Sequence, residues 1–181
     1  MTLPQRDDIA TSRLALIAIT PAAIRSEQLD DKQLGELIRC AIPTNWPPVD
    51  WEPHVFDFIL AQFEQHPDQI GWHRYVAFLQ PDGGRTLIGA LGAFSKATNP
   101  AECEIGYSIL PPFDGRGLAT EGTNALIEYL RGDERLTSII AHTFPRLTGS
   151  IRVMEKCGLT FDGEGEEAGT IRYRLQLGPL K

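Results

Sequence analysis

Glu104-Ile105-Gly106-Tyr107-Ser108-Ile109-Leu110-Pro111-Pro112-Phe113-Asp114-Gly115-Arg116-Gly117-Leu118-Ala119-Thr120-Glu121 reads as a strand, a proline stop, a glycine-rich turn and a helix start. Cys103, Ile105, Tyr107 and Ile109 alternate with Glu102, Glu104, Gly106 and Ser108, the period-2 pattern of a strand. Pro111 and Pro112 have no N–H to continue a sheet ladder. Gly115 and Gly117 allow a tight turn with no Cβ in the way. Leu118, Gly122, Ala125, Leu126, Tyr129 and Leu130 then recur at helical spacing. The unpaired N–H groups and dipole at the start of such a helix suit a phosphate, so the stretch predicts a phosphate-bearing ligand on a strand–loop–helix unit. The plainer reading is a simple turn.

Two nucleotide-binding loops fit poorly. A Rossmann fingerprint needs a third glycine, where Thr120 stands, and a strand buried on both faces, whereas this one alternates and carries two glutamates. The next strand-like run, Thr137 to Ala141, ends in His142 and not in the acid that would hold a ribose. No Gly-Lys-Ser/Thr follows the glycines, which excludes a Walker loop.

Outward from this stretch the chain reads as strands and helices in mixed order. Arg13 to Ile19 is an edge strand ending at Thr20-Pro21, followed by helices over Ala22 to Gln28 and Lys32 to Cys40, the second with the stripe Leu34, Leu37, Ile38 and Ala41. Pro43-Thr44-Asn45-Trp46-Pro47-Pro48 is a rigid loop. Glu52 to Gln65 is a helix that buries Val55, Phe56, Ile59, Leu60 and Phe63. Tyr75 to Leu79 and Thr86 to Ser95 flank the hairpin signal Pro81-Asp82-Gly83-Gly84. Thr98-Asn99-Pro100 is a turn before the glutamate strand, and Arg172 to Leu177 alternates as a closing strand. This order predicts an α+β fold and not a uniform βαβ array.

The chain also resembles a known family, the GNAT (GCN5-related) N-acetyltransferases, and most of all the branch of ribosomal-protein N-terminal acetyltransferases. Thr11 to Leu16 resembles that branch's opening strand, Leu87 to Gly92 its third and Glu104 to Tyr107 its fourth. Asp114 to Glu121 resembles its pyrophosphate loop, Gln/Arg-x-x-Gly-x-Gly/Ala, and Ser150 to Leu159 the late helix that leads into the sixth strand. The match runs in family order from residue 11 to residue 177. It implies one domain over residues 1–181, with a mixed, mostly antiparallel central sheet of about seven strands flanked by helices and a splay between the fourth and fifth. It further implies acetyl transfer from acetyl-CoA, as acyl-donor cosubstrate and with no metal, to a primary amine on a protein N-terminus or a small molecule. The pantetheine arm would run beside Ile109, Leu110 and Pro111, and the pyrophosphate would sit on Gly115, Arg116, Gly117, Leu118, Ala119 and Thr120. A homodimer is common in the branch. Two residues depart from the pattern: Asp114 stands where Gln or Arg is usual, and Leu147 where many members carry Asn. They motivate the alternative of a CoA-binding module without turnover.

Acetyl transfer needs a deprotonated amine, a donor for the developing oxyanion and a proton for the thiolate. Glu104 is the candidate base, acting directly or through water, and resembles an acid found there in related members; the plain alternative is a solvated strand carboxylate. Glu102, on the same face, is a weaker candidate. Ser150 and Tyr173 are candidate hydroxyl donors to the thiolate, or else a helix cap and a packed aromatic. His142 ends its strand near the expected splay, or is a structural histidine. Trp46, Trp51, Phe56 and Trp72 are read as acceptor-site wall or as core. Asp50, Glu52 and Asp57 add acidity that could draw a cationic amine, or are only solvated.

Bulk properties agree with an enzyme of one domain. The 181 residues suffice for a real core, and 42% apolar content argues against disorder. The net charge of −7 disfavours nucleic acid, and an anionic ligand then needs local positive charge, for which Arg116 and Arg152 are candidates. No apolar run reaches membrane-span length, and Met1 to Asp8 lacks a signal peptide's apolar region, so no membrane partner is expected. Cys40, Cys103 and Cys157 are too scattered for a disulfide or zinc pattern and predict buried thiols in a reducing cytoplasm.

Overall fold

The computed structural model describes residues 8–48 and 51–178. Met1 to Asp7 and Asp50, which entered the reading above, lie outside the described residues. Eight strands form one sheet in the order β1-β2-β3-β4-β5-β6-β8-β7. They are β1 Ile9–Ala10, β2 Leu14–Ala18, β3 Arg74–Leu79, β4 Arg85–Lys96, β5 Asn99–Ile109, β6 Ser138–Thr143, β7 Thr160–Glu164 and β8 Ile171–Gln176. The helices are α1 Pro21–Leu29, α2 Asp31–Ile38, α3 Pro53–Gln65, α4 Leu118–Arg131 and α5 Thr148–Lys156. Among the described residues the sheet thus has eight strands, in keeping with the expected mixed sheet of about seven. The added β1 is a two-residue strand paired antiparallel with β2, too short to show a period. The expected fourth and fifth strands are β5 and β6.

The described residues fall into two compact units, one running to Leu91 and including Ser108–Leu118, the other made of Gly92–Tyr107 and the residues from Ala119 on. In the first, Thr20 caps α1 by accepting from the Ala23 amide at 3.2 Å, and Asp30 caps α2 by accepting from Lys32 at 2.9 Å. Ile17, Ile19, Ile24, Leu34, Ile38, Phe56, Ile59, Phe63, Tyr75, Leu87 and Leu110 share one buried core. The predicted α2 stripe is only half right. Leu37 is 51% exposed, and the helix stops at Ile38 on Arg39 in the left-handed region (φ 55°), so Ala41 lies beyond it. Val55 and Leu60 of α3 are half-buried.

In the second unit the turn before β5 is Ala97-Thr98 and not Thr98-Asn99-Pro100. Pro100 lies inside β5, near its exposed start, where a missing N–H is tolerated. β5 pairs parallel with β6 from Glu102 opposite Ser138 to Glu104 opposite Ile140. Both strands continue past this pairing, β5 to Ile109 and β6 to Thr143, in keeping with the expected divergence. Cys103, Ile105, Leu126, Ile127, Leu130, Ile139, Ile140 and Met154 are buried. The three cysteines are free and buried, and burial pushes the Cys40 and Cys157 thiols up to about 11 and the Cys103 thiol up to about 12.

Candidate active site

The glycine-rich loop is built as its sequence demands. β5 ends at Ile109, a single 3-10 turn spans Pro111–Phe113, and Gly115 and Gly117 take φ of 71° and 75°, conformations that a side chain disfavours. A Cβ on Gly115 would meet nothing within 4 Å, and residues 114–117 are all exposed. The loop therefore presents backbone at the start of α4, a shape that fits a pyrophosphate. Positive charge is at hand. The Arg116 guanidinium lies 5.1 Å from the Phe78 ring centroid and 5.6 Å from that of Phe113, while Arg13 Nη1 donates to the Arg116 carbonyl at 3.0 Å. Leu118 is buried at the head of α4, and Ala119 and Thr120 are half-buried. In the run expected beside the pantetheine, the Leu110 amide is committed to the Ile88 carbonyl at 2.7 Å, and Pro111 has no amide to give. Arg152 and Asp114 are exposed.

Glu104 is not a lone solvated carboxylate. One oxygen lies 2.8 Å from His142 Nδ1 and the other accepts from Lys96 Nζ at 2.9 Å. Lys96 also donates to Glu166 at 2.8 Å. Burial works against the Lys96 ammonium, but its bonds to Glu166 and Glu104 outweigh that and hold its proton above the ordinary lysine range. The bond from Lys96 likewise draws Glu166 below the usual carboxylate range. His142 Nε2 is buried with no hydrogen-bond partner. The wet-face expectation fails for Glu102 too, which is 8% exposed, accepts from Ser138 Oγ at 2.9 Å and is ion-paired with Arg174. That pairing accounts for Glu102 structurally.

The candidate hydroxyls separate. Tyr107 Oη donates to the Ser150 carbonyl at 2.9 Å and lies 3.2 Å from Ser150 Oγ, and burial pushes the phenol up to about 12. Ser150 sits in the first turn of α5, whose N-cap is Leu147 with no side-chain cap bond. Tyr173 is buried on β8, its ring edge-on to Phe161 with centroids 5.9 Å apart. Burial and the Glu155 carboxylate that accepts its hydroxyl raise it above the ordinary tyrosine value. Glu104 and Tyr107, an odd number of residues apart, point to opposite faces of β5. The structure therefore brings Glu104 to His142 and Ser150 to Tyr107, and leaves Tyr173 with Glu155.

The aromatic candidates belong to the first unit. Trp46 Nε1 and Trp51 Nε1 donate to one oxygen of Glu27 at 2.8 and 2.9 Å, and the Tyr75 hydroxyl donates to the other. Burial raises the Glu27 carboxyl above its usual value against the lowering effect of these three bonds. Trp46 and Phe56 are core, Trp72 is 2% exposed and Trp51 is half-buried. Glu52 and Asp57 are exposed. Among the described residues, no group of three or more His, Cys, Asp or Glu is placed to hold a metal ion.

A family model described as "Acetyltransferase (GNAT) domain" matches residues 24–160. The chain belongs to the GNAT acetyltransferases. The crystal structure of an acetyltransferase from Agrobacterium tumefaciens str. C58 is similar with a TM-score of 0.62 at 23% identity, over 94% of each chain. RimL, the ribosomal L7/L12 alpha-N-protein acetyltransferase solved in complex with Coenzyme A, gives 0.64 at 15% identity, over 94% of this chain and 98% of that one. At such identities these structures speak for the fold. By sequence, the Bacillus subtilis (strain 168) protein named "Probable N-acetyltransferase YjcK" is 32% identical over 78 residues, 42% of this chain and 43% of that protein, so the match spans less than half of that relative.

Within this GNAT domain, sequence reasoning missed Lys96, Glu166, Tyr107 and Glu27. Tyr107 was read only as an apolar-face residue. Lys96 reaches Glu104 from the end of β4 and Glu166 reaches Lys96 from the β7–β8 turn, and no local pattern announces such a meeting. Glu27 lies in a weakly amphipathic helix among polar neighbours, so only the position of the indoles shows its use.

Proposed function

We infer that this GNAT chain transfers an acetyl group from acetyl-CoA to a primary amine. The observation that carries the reading is the pair Gly115 and Gly117, both at positive φ, opening α4 with bare backbone in a chain of an acetyltransferase family. In this reading the pyrophosphate rests on Gly115, Arg116, Gly117, Leu118, Ala119 and Thr120, and the pantetheine arm runs beside Ile109, Leu110 and Pro111. The bound cosubstrate supplies an activated thioester carbonyl. Glu104 supplies the negative charge that draws the proton from the amine. Ser150, with Tyr107 against it, is the hydroxyl we assign to protonate the departing thiolate. Tyr173, engaged by Glu155, supports the sheet instead.

Both compact units are read as one catalytic domain over residues 1–181, because a single family match runs through both. A protein N-terminus leads the acceptor classes, since a free α-amine demands less of a base than a lysine does. A homodimer in the cytoplasm completes the proposal. Among the described residues, no helix is long and apolar enough to cross a membrane.

The test is a panel of amines, including alanine- and serine-initiated peptides, spermidine, free amino acids and aminoglycosides, assayed with acetyl-CoA by free-thiol release. Amine-dependent thiol release is expected. Heat stabilisation by CoA with no release for any amine would instead establish a binding module, and stabilisation by neither CoA nor acetyl-CoA would sink the loop assignment.

A further inference from the structure

We propose that the amine proton is received by Nε2 of His142, and that Glu104 is the residue that positions and charges this imidazole. The inference rests on the acetyl-transfer reading above. A carboxylate only accepts, so the 2.8 Å contact between Glu104 and His142 Nδ1 requires the proton on Nδ1. In a neutral imidazole the lone pair then lies on Nε2. That atom is buried and has no hydrogen-bond partner, which is costly for a polar group unless it has another use. Both Glu104 oxygens already hold a hydrogen bond, one from His142 and the other from the ammonium of Lys96. The geometry is that of a base with its orienting acid behind it.

The charged groups around the ring come from every neighbouring element. Glu104 stands on β5, Lys96 at the end of β4, and Glu166 in the β7–β8 turn. Arg172 is opposite in register on β8 and is itself tied to Asp162 of β7 at 2.8 Å. Gly165 of the same turn lies against the ring, where an added Cβ would come within 3.0 Å of His142 Cδ2. Nε2 is buried in this structure, and catalytic hydrogen bonds commonly form only with substrate in place.

The step balances. The amine lone pair forms the N–C bond at the thioester carbonyl carbon, the C–S bond breaks with its pair on sulfur, and the N–H proton passes to Nε2. Nε2 later releases that proton to solvent, while the thiolate takes one from the Ser150 hydroxyl, which regains a proton from solvent. The sum is amine plus thioester to amide plus thiol.

The experiment measures kcat/KM against pH for wild type, His142→Gln and Glu104→Gln, with acetyl-CoA and a short alanine-initiated peptide, alongside CoA binding by calorimetry. Wild type should lose rate on the acid side as the imidazole gains a proton. His142→Gln should keep CoA affinity, fall by about 10²–10⁴-fold and lose that acid limb. Glu104→Gln should lose less and keep the limb, because Nε2 is still there to take the proton. A folded His142→Gln variant with the wild-type limb would overturn the proposal. So would a Glu104→Gln variant in which the limb vanishes, and this arm decides the matter even where His142→Gln does not fold. An inactive wild type that is also silent across the amine panel would remove the acetyl-transfer reading itself, whereas an active wild type with either contrary profile removes only the role of His142.

Discussion

Glu27 gives the sharpest test of how the first unit is held together. Its carboxylate takes two indole N–H bonds and one phenol bond in a cluster where Tyr75 is wholly buried and Trp46 is 7% exposed. Glu27→Ala strands these two donors, and a buried donor without a partner costs about 1–3 kcal/mol. Trp51 is half-buried and can turn to water. The expected loss is therefore about 4 kcal/mol, within a range of roughly 2–6. For a chain of this size that lowers Tm by about 8–16 °C. Glu27→Gln keeps an acceptor for both indoles and sheds the burial penalty on the charge, so it should lose much less than Glu27→Ala. The assay is urea unfolding followed by indole fluorescence, with linear extrapolation. A pH series adds a second reading. The folded state binds the Glu27 proton more tightly than the unfolded chain does, so this group stabilises the fold below its ordinary value of 4.5 and loses that contribution as pH rises through its raised folded value. Wild type should gain on Glu27→Gln as pH falls through that window. A Glu27→Ala protein within about 0.5 kcal/mol of wild type, the scatter of a neutral surface change, would refute the reasoning.

Two further outcomes are expected. Gly117→Val puts a β-branched residue at φ 75° in the exposed loop, and should abolish most CoA affinity by calorimetry while far-UV dichroism stays native; unchanged affinity would discard the loop as phosphate cradle. Gly89→Ala drives a Cβ to 2.2 Å from the Ser108 carbonyl oxygen and 2.8 Å from Ile109 Cδ1, so thermal melting should show a loss of about 1–3 kcal/mol or more from overpacking.

The stretch from Glu104 to Glu121 announced its own structure because local rules settle it. Alternation makes the strand, prolines stop it, glycines turn it and helical spacing restarts it. Pro81 to Gly84 marked the β3–β4 hairpin in the same way. Elements without a local rule were misread or missed. Two residues at Ile9–Ala10 carry no period, and the end of α2 depends on Arg39 accepting a left-handed conformation that glycine usually supplies. The site divided along the same line. The loop was legible as a motif and Glu104 as an acid on a strand. The partners that change what Glu104 can do, His142, Lys96 and Glu166, come from β6, the end of β4 and a late turn, and only long-range pairing assembles them. The same holds for Glu102, whose apparent solvent face is closed by Ser138 and Arg174.

The double grip on Lys96 has a consequence for the enzyme's own chemistry. A lysine beside an acid–base cluster in an acetyltransferase is an obvious target for automodification. Lys96 is exempt for as long as Glu104 and Glu166 hold its proton, because an ammonium has no lone pair with which to attack a thioester. Two carboxylates thereby keep this amine from competing for the acyl donor.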